Sequence, residues 1–194
     1  MPNLFWLSMM SETTKKDYVK DGLIYQGVPL SASPASVSFP NGVFTVEIVN
    51  ELIAQAPTSS DYRVLLRMYN KSPGEYANQL GNLNNAGVML FTVGGKQWTI
   101  PSSQLPLTYK TIGDKRTTTF VLDSNKDRSL YCNGEFEIQN TTLKTGLNRT
   151  ELDNVFAMNN GVYYNYFDVR IYDRVLTPEE IAHNYEIDKE RFLI

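Results

Sequence analysis

Residues 168–192 read DVRIYDRVLTPEEIAHNYEIDKERF, and this stretch predicts a strand that is followed directly by a capped helix. Thr177 is a suitable N-cap and Pro178 suits the first helical position. Glu180 lies three residues after Thr177, where it completes a capping box. The chain is therefore expected to end in a short helix and its tail, over about residues 177–194.

Upstream of this stretch, short runs of alternating apolar and polar residues are rich in β-branched and aromatic side chains, a pattern typical of an all-β protein. Phe44, Val46 and Ile48 share one face of such a run, and we expect that face to lie in the core. Asn133 and Gly134 suit the two positions of a type I′ turn. Strands are expected at residues 4–10, 23–25, 37–39, 43–49, 62–69, 87–93, 96–100, 117–122, 129–132, 135–138 and 162–172, and a long loop at residues 73–87.

The composition fits one folded domain over residues 1–194. Hydrophobic residues make up 42% of the chain, which excludes a globally disordered protein. The net charge is −3 and the basic residues are scattered, which argues against a nucleic-acid partner. A single cysteine and a single histidine exclude an internal disulfide and metal sites built from several Cys or His side chains. No apolar run approaches the ~18 residues needed to span a membrane, and we expect no signal peptide.

The stretch DVRIYDRVLTPEEIAHNYEIDKERF resembles the C-terminal signature of the concanavalin A-like lectin/glucanase superfamily, in its laminin-G-like branch. SLYCNGEFE at residues 129–137 and FTVEIV at residues 44–49 are similar to a hairpin and an early strand of that branch. The resemblance implies a two-sheet antiparallel jelly-roll sandwich with a short C-terminal helix. It also implies carbohydrate binding, protein adhesion or glycoside hydrolysis, and the fold does not decide among them.

The carboxylates of the sequence do not form a pattern that predicts catalysis. A retaining glycosidase needs two carboxyl groups ~5–5.5 Å apart on one face, whereas Glu135 and Glu137 are interpreted as the solvent face of a hairpin. Glu186, Asp188 and Glu190 are expected to be solvated charges of the C-terminal tail. The lone histidine and the lone cysteine lack the companion residues of a nucleophilic site. We therefore expect the chain not to be an enzyme.

Asp123, Asn125 and Asp127 present alternating oxygen ligands, as a calcium loop does. However, the position that an EF-hand loop reserves for Gly is Arg128. Asp and Asn also favour β-turns, because their side chains bond to their own backbone. A turn is the favoured interpretation, and calcium at these three residues is the alternative. No other cofactor is expected.

The last predicted strand carries the candidate ligand-binding face. Strict alternation would place five side chains opposite the core, namely Tyr164, Tyr166, Asp168, Arg170 and Tyr172, with Tyr163, Phe167, Val169 and Ile171 toward it. Aromatic rings and planar polar groups bind sugars, and Tyr and Arg are also frequent in protein interfaces. The alternative is that Tyr is simply a good strand former and that the charged residues pair across the sheet.

Two functions are left open, with glycoside hydrolysis as a distant third. The first is a non-catalytic structural or adhesion protein of a bacteriophage virion, such as a capsid decoration or a tail or baseplate component. Its partners would be other virion or self subunits, and it would also bind surface carbohydrate. The second is a free-standing or excised lectin-like module of a bacterial protein, located outside the cell or on its surface. Neither hypothesis involves a membrane or nucleic acid.

Overall fold

The computed structural model describes residues 17–28, 35–54, 63–70, 78–83, 89–106, 111–146, 153–157 and 163–194. Within these ranges the chain forms twelve strands, a 3-10 turn at Ser102–Gln104 and one helix. In chain order the strands are β1 (Leu23–Gln26), β2 (Ala35–Ser38), β3 (Phe44–Leu52), β4 (Arg63–Asn70), β5 (Asn78–Leu83), β6 (Met89–Val93), β7 (Lys96–Ile100), β8 (Lys115–Leu122), β9 (Arg128–Cys132), β10 (Glu135–Asn140), β11 (Asp153–Ala157) and β12 (Tyr164–Tyr172). The helix is α1 (Pro178–Phe192).

The strands form two six-stranded antiparallel sheets that pack face to face. The first sheet has the order β1-β12-β3-β8-β9-β10, and the second has the order β2-β11-β4-β5-β6-β7. All of the pairs between neighbouring strands are antiparallel. This arrangement confirms the expected all-β jelly-roll sandwich with a C-terminal helix.

The main core lies between the two sheets. Phe44, Val46 and Ile48 of β3 are completely buried in it, as their alternation predicts. Phe91 of the second sheet lies 6.4 Å from Phe44 and 5.1 Å from Phe120, measured between ring centroids, and it meets Phe120 edge to face. Such tilted and edge-on contacts are the favoured geometries for aromatic rings, so Phe91 joins the two sheets across the core.

Helix α1 packs on the outer face of the first sheet. The Thr177 hydroxyl accepts a hydrogen bond from the Glu180 amide (3.2 Å), and the Thr177 amide donates to the Glu180 carboxylate (2.8 Å). These two bonds confirm the expected capping box. Leu176 and Ile181, on either side of the cap, are buried in a second apolar cluster against Tyr172. The first sheet is thus covered on both faces, and eight of the nine residues of β3 are buried.

Two hairpin turns also agree with the sequence prediction. Asn133 (φ 52°) and Gly134 (φ 78°) join β9 to β10, and both lie in the left-handed region that a type I′ turn requires. Gly94 and Gly95 join β6 to β7, again with positive φ at both positions. The part of the chain that the structure describes contains no helix with the length and apolar character needed to cross a membrane.

The structure adds two strands that the sequence pattern does not predict. Strand β5 lies inside the loop expected at residues 73–87, and that expectation is wrong for residues 78–83. Its sequence, NQLGNL, is polar and contains a glycine, yet it pairs with β4 on one side and β6 on the other. Strand β11 pairs in the same way between β2 and β4. The strand expected at residues 4–10 lies outside the described residues.

Candidate functional site

A β-bulge divides the candidate ligand face on β12. The pairing of β12 with β3 changes register between Tyr166 and Asp168, and a bulge of this kind moves the following side chains to the other face of the sheet. Tyr164 and Tyr166 therefore lie in the core between the sheets, together with Val169 and Ile171. The prediction that the two tyrosines face away from the core is wrong, because it assumed an unbroken strand.

After the bulge, Asp168, Arg170 and Tyr172 lie on the face opposite the core, as the alternation predicts, and they point toward helix α1. They do not form an open surface, since their exposed fractions are 6%, 0% and 0%. Tyr164 and Tyr166 are buried as well. The expected exposed face of five side chains is consequently not present, because the helix covers one half of it and the second sheet covers the other.

Arg170 lies at the centre of a group of carboxylates beneath the helix. Its Nε donates to the Glu47 carboxylate (2.8 Å), and its Nη1 donates to Asp168 (3.1 Å). Its Nη1 and Nη2 also donate to the two oxygens of Asp188, at 2.8 and 2.6 Å. We call Glu47, Asp168, Arg170 and Asp188 the buried charge cluster. It joins β3, β12 and α1.

Neutral side chains donate further hydrogen bonds to the carboxylate oxygens that Arg170 binds. Asp188 accepts hydrogen bonds from the Tyr18 hydroxyl and the Thr117 hydroxyl, both at 2.8 Å. Glu47 accepts a hydrogen bond from the Asn184 side chain, also at 2.8 Å. The expectation that Asp188 is a solvated charge is wrong, because α1 turns this residue inward against the sheet. Its neighbours Glu186 and Glu190 are exposed, as expected.

The electrostatics of the cluster indicate a structural role. Burial raises the pKa of Glu47 above its ordinary value, and the charge of Arg170 opposes that rise. Burial also acts to lower the pKa of Arg170, but Glu47 and Asp188 outweigh it and raise that pKa well above its ordinary value. The guanidinium thus stays charged, and its removal would leave carboxylates buried without their counter-ion. We interpret the buried charge cluster as a set of hydrogen-bonded ion pairs that holds helix α1 on the first sheet.

The candidate calcium loop is a closed turn between β8 and β9. The Asp127 amide donates to the Asp123 carboxylate (2.7 Å), and the Lys126 amide donates to the Asp123 carbonyl oxygen (3.0 Å). The Asp127 carboxylate pairs with the Lys144 ammonium, and Asn125 is exposed. An ammonium on a would-be ligand does not suit a cation site, so these residues do not fit calcium. Among the residues that the structure describes, no cluster of His, Cys, Asp or Glu suits any metal ion.

The other candidate catalytic side chains are separated from one another. Cys132 is buried in the core. His183 is exposed, and its Nε2 lies 2.9 Å from the carbonyl oxygen of Asp17. Glu135 is exposed and Glu137 is half-buried on the edge strand β10, as a solvent-side hairpin predicts. Burial, and then the charge of Glu135, raise the pKa of Glu137.

An open groove of about 530 Å³ lies between the β9–β10 turn and helix α1. We call it the hairpin–helix groove, and its lining residues are Asn133, Gly134, Glu135, Ala182, Tyr185, Glu186 and Lys189. The sequence pattern identifies the turn and the helix separately, but it contains no signal that places them side by side. The sequence therefore does not predict this groove.

Gly134 lets the turn approach the helix closely. A Cβ atom at this position would lie 3.0 Å from Cβ and Cδ1 of Tyr185, which is too close for ordinary packing. Asn133 fixes the other side of the turn, since its side chain accepts a hydrogen bond from the Thr117 amide (3.0 Å). Lys189 Nζ lies 5.5 Å from the centre of the Tyr185 ring and 2.8 Å from the Glu186 carboxylate. The groove thus combines one aromatic ring with charged hydrogen-bonding groups.

No family model and no curated protein matches the chain. Solved structures do match its fold. The carbohydrate-binding module CBM40 of the Ruminococcus gnavus IT-sialidase is 16% identical with a TM-score of 0.56, and the match covers 84% of this chain and 100% of that one. The receptor-binding domain of botulinum neurotoxin type G is 12% identical with a TM-score of 0.54, and the match covers 84% of this chain and 46% of that one. Trypanosoma rangeli sialidase is 15% identical with a TM-score of 0.58, and the match covers 91% of this chain and 29% of that one.

These likenesses show the lectin-like jelly-roll fold. This chain spans less than half of the matched neurotoxin chain and less than a third of the matched sialidase chain. It matches the whole of the CBM40 module, which has also been solved with α2,3-sialyllactose bound, at a TM-score of 0.53 to this chain. Identities this low carry no residue of those proteins' sites over to this sequence.

Proposed function

We propose that this chain is a non-catalytic, glycan-binding β-sandwich module and that the hairpin–helix groove is its binding site. The observation that carries the proposal is the position of Tyr185, on the groove wall, beside Glu135, Glu186 and Lys189. Sugars are held by an aromatic ring against their C–H faces and by a few convergent polar groups around their hydroxyls. Burial raises the pKa of the Tyr185 phenol, and a neutral phenol can both donate and accept a hydrogen bond.

The fold likeness supports the class of ligand. The match to the CBM40 module covers all of a protein that is itself a carbohydrate-binding module. The sequence resemblance to the laminin-G-like branch also supports carbohydrate binding. We include membership of that branch in the proposal.

The arrangement of carboxylates supports a non-catalytic role. A glycosidase needs a general acid and a second carboxylate in one cleft that the substrate enters. Three carboxylates meet in the buried charge cluster, but Glu47 and Asp188 have no exposed surface there, so a substrate cannot reach them. In the groove, Glu186 is engaged by the Lys189 ammonium. The described residues thus favour binding over hydrolysis.

A glycan array tests the proposal directly. The purified chain and two variants, Tyr185→Ala and Phe136→Ala, would be applied at equal concentration to immobilised glycans. We expect the wild-type chain to bind a defined set of glycans and Tyr185→Ala to lose at least about tenfold in affinity, as loss of a central aromatic contact does. Phe136 is an exposed aromatic residue on the same hairpin that does not line the groove, so its variant should bind normally. Equal binding by Tyr185→Ala would remove the groove from consideration.

We further propose that the module works as an accessory component of a bacteriophage particle, with a lectin-like part of a larger bacterial protein as the alternative. The packing of the second sheet and of α1 on opposite faces of the first sheet supports the proposal, because a sheet covered on both faces suits a structural module. This location can be tested by mass spectrometry of purified phage particles, prepared from the phage or prophage that carries the gene. Absence of the chain from particles that contain their other structural proteins would contradict it.

A further inference from the structure

We infer that the hairpin–helix groove selects uncharged glycans and rejects glycans that end in sialic acid. This inference rests on the proposed function and specifies its ligand class. The charged groups that line the groove are Glu135 from β10 and Glu186 and Lys189 from α1. Two carboxylates against one ammonium give the groove a negative balance.

The charge of the single cation that lines the groove is already balanced by a carboxylate. Lys189 Nζ lies 2.8 Å from the Glu186 carboxylate, and this hydrogen bond raises the pKa of Lys189. Glu135 is exposed and lines the groove, and no ion pair is formed by it among the described residues. Glu137 adds further acidic character to the same strand. A ligand carboxylate would therefore meet an unpaired carboxylate and a lysine whose charge is already balanced by Glu186.

A neutral sugar fits the same groups well. Its hydroxyls can donate to the carboxylate oxygens of Glu135 and Glu186, which accept hydrogen bonds only, and can accept from Lys189, which only donates. Its apolar C–H face can pack on the Tyr185 ring. A sialic acid at this position would add a like charge near Glu135, and like charges at close range are disfavoured. The CBM40 module that shares this fold has been solved with a sialylated trisaccharide, so the inference separates this chain from that neighbour by ligand charge.

Paired glycan arrays test the inference. One array would carry sialylated glycans, and its duplicate would be treated with a sialidase to remove the terminal sialic acids. We expect the chain to bind desialylated glycans with at least about tenfold higher affinity than their sialylated partners. The preference should weaken as ionic strength rises, because the repulsion is exposed to solvent.

A charge-reversal variant localises the effect. Glu135→Lys should reduce the preference for desialylated glycans several-fold, because it replaces the unpaired carboxylate with an ammonium. Asp21→Lys is the matched control, since Asp21 is exposed before β1, does not line the groove and changes the net charge equally. The control should keep the wild-type preference.

The outcomes of this experiment are distinct. Stronger binding to sialylated glycans, or equal binding to both arrays, would overturn the inference and leave the proposed function standing. Binding to neither array would overturn the proposed function itself. An equal loss of preference in Glu135→Lys and Asp21→Lys would show that overall charge, and not the groove, sets the selectivity, and would also overturn the inference.

Discussion

Arg170 of β12 and Asp188 of α1 form a two-fold hydrogen-bonded ion pair, at 2.8 and 2.6 Å, in which neither side chain has any exposed surface. The pair joins the last strand to the last helix directly. Its place on β12 is set by the bulge after Tyr166, which directs the charged end of the strand toward the helix and the tyrosines toward the core. The segment of β12 that resembles a ligand-binding face in sequence is thus buried, and it connects the first sheet to helix α1.

Removal of Arg170 is expected to destabilise the protein strongly. Arg170→Met leaves Glu47 and Asp188 buried without a cation, a loss that costs about 3–5 kcal/mol in comparable pairs. Arg174→Met, which removes a partly exposed ion pair with Glu180, should cost at most about 1 kcal/mol. Urea unfolding of both variants measures the difference. Equal losses would contradict the structural role of the cluster.

Gly134 and Gly95 provide a matched test of how closely the hairpin approaches the helix. Both glycines have positive φ, 78° and 69°, so an alanine at either position costs about 1–2 kcal/mol in backbone strain. A Cβ at Gly95 has nothing within 4 Å, whereas a Cβ at Gly134 would contact Tyr185 at 3.0 Å. Gly134→Ala should therefore lower the free energy of unfolding more than Gly95→Ala, and only Gly134→Ala should weaken glycan binding. Identical effects of the two variants on stability and binding would argue against the described packing.

The capping carboxylate of α1 should make stability depend on acid pH. Hydrogen bonds from Arg174 to both oxygens of Glu180, at 2.8 and 2.7 Å, hold the pKa of Glu180 below its ordinary value near 4.5. A carboxylate with a lowered pKa contributes stability above the unfolded pKa, and this contribution is lost as pH falls through the folded pKa. The stability difference between the wild-type chain and Glu180→Gln should thus be full at pH 6 and shrink below pH 4.5. A difference that is constant from pH 6 to pH 3 would contradict this assignment.

Local signals in the sequence predicted the local structure well. Thr177, Pro178 and Glu180 identified the helix start because capping involves only neighbouring residues, and Asn133 with Gly134 identified its turn for the same reason. The sequence pattern does not predict β5, because its pairing with β4 and β6, and not its own polar residues, holds it in the sheet. The alternation places the ligand face wrongly because the bulge in β12 depends on its pairing with β3. The alternation of residues within β12 carries no information about its pairing with β3.

The candidate site was beyond the reach of the sequence for a related reason. Glu135 and Tyr185 lie 50 positions apart in the chain, and only the packing of α1 on the first sheet brings the turn and the helix together. Their residue types are common on solvated surfaces, so neither one signals a binding site alone. The juxtaposition is a property of the fold.

The most direct test of the central claim is to locate the bound glycan by NMR. Amide spectra of the labelled chain would be titrated with the neutral glycan that gives the strongest array signal. The account predicts saturable shifts at residues 133–135 and 182–189, with residues 164–172 of β12 nearly unchanged. Shifts confined to other surfaces, or no shifts with any array glycan, would contradict the claim that the hairpin–helix groove binds carbohydrate.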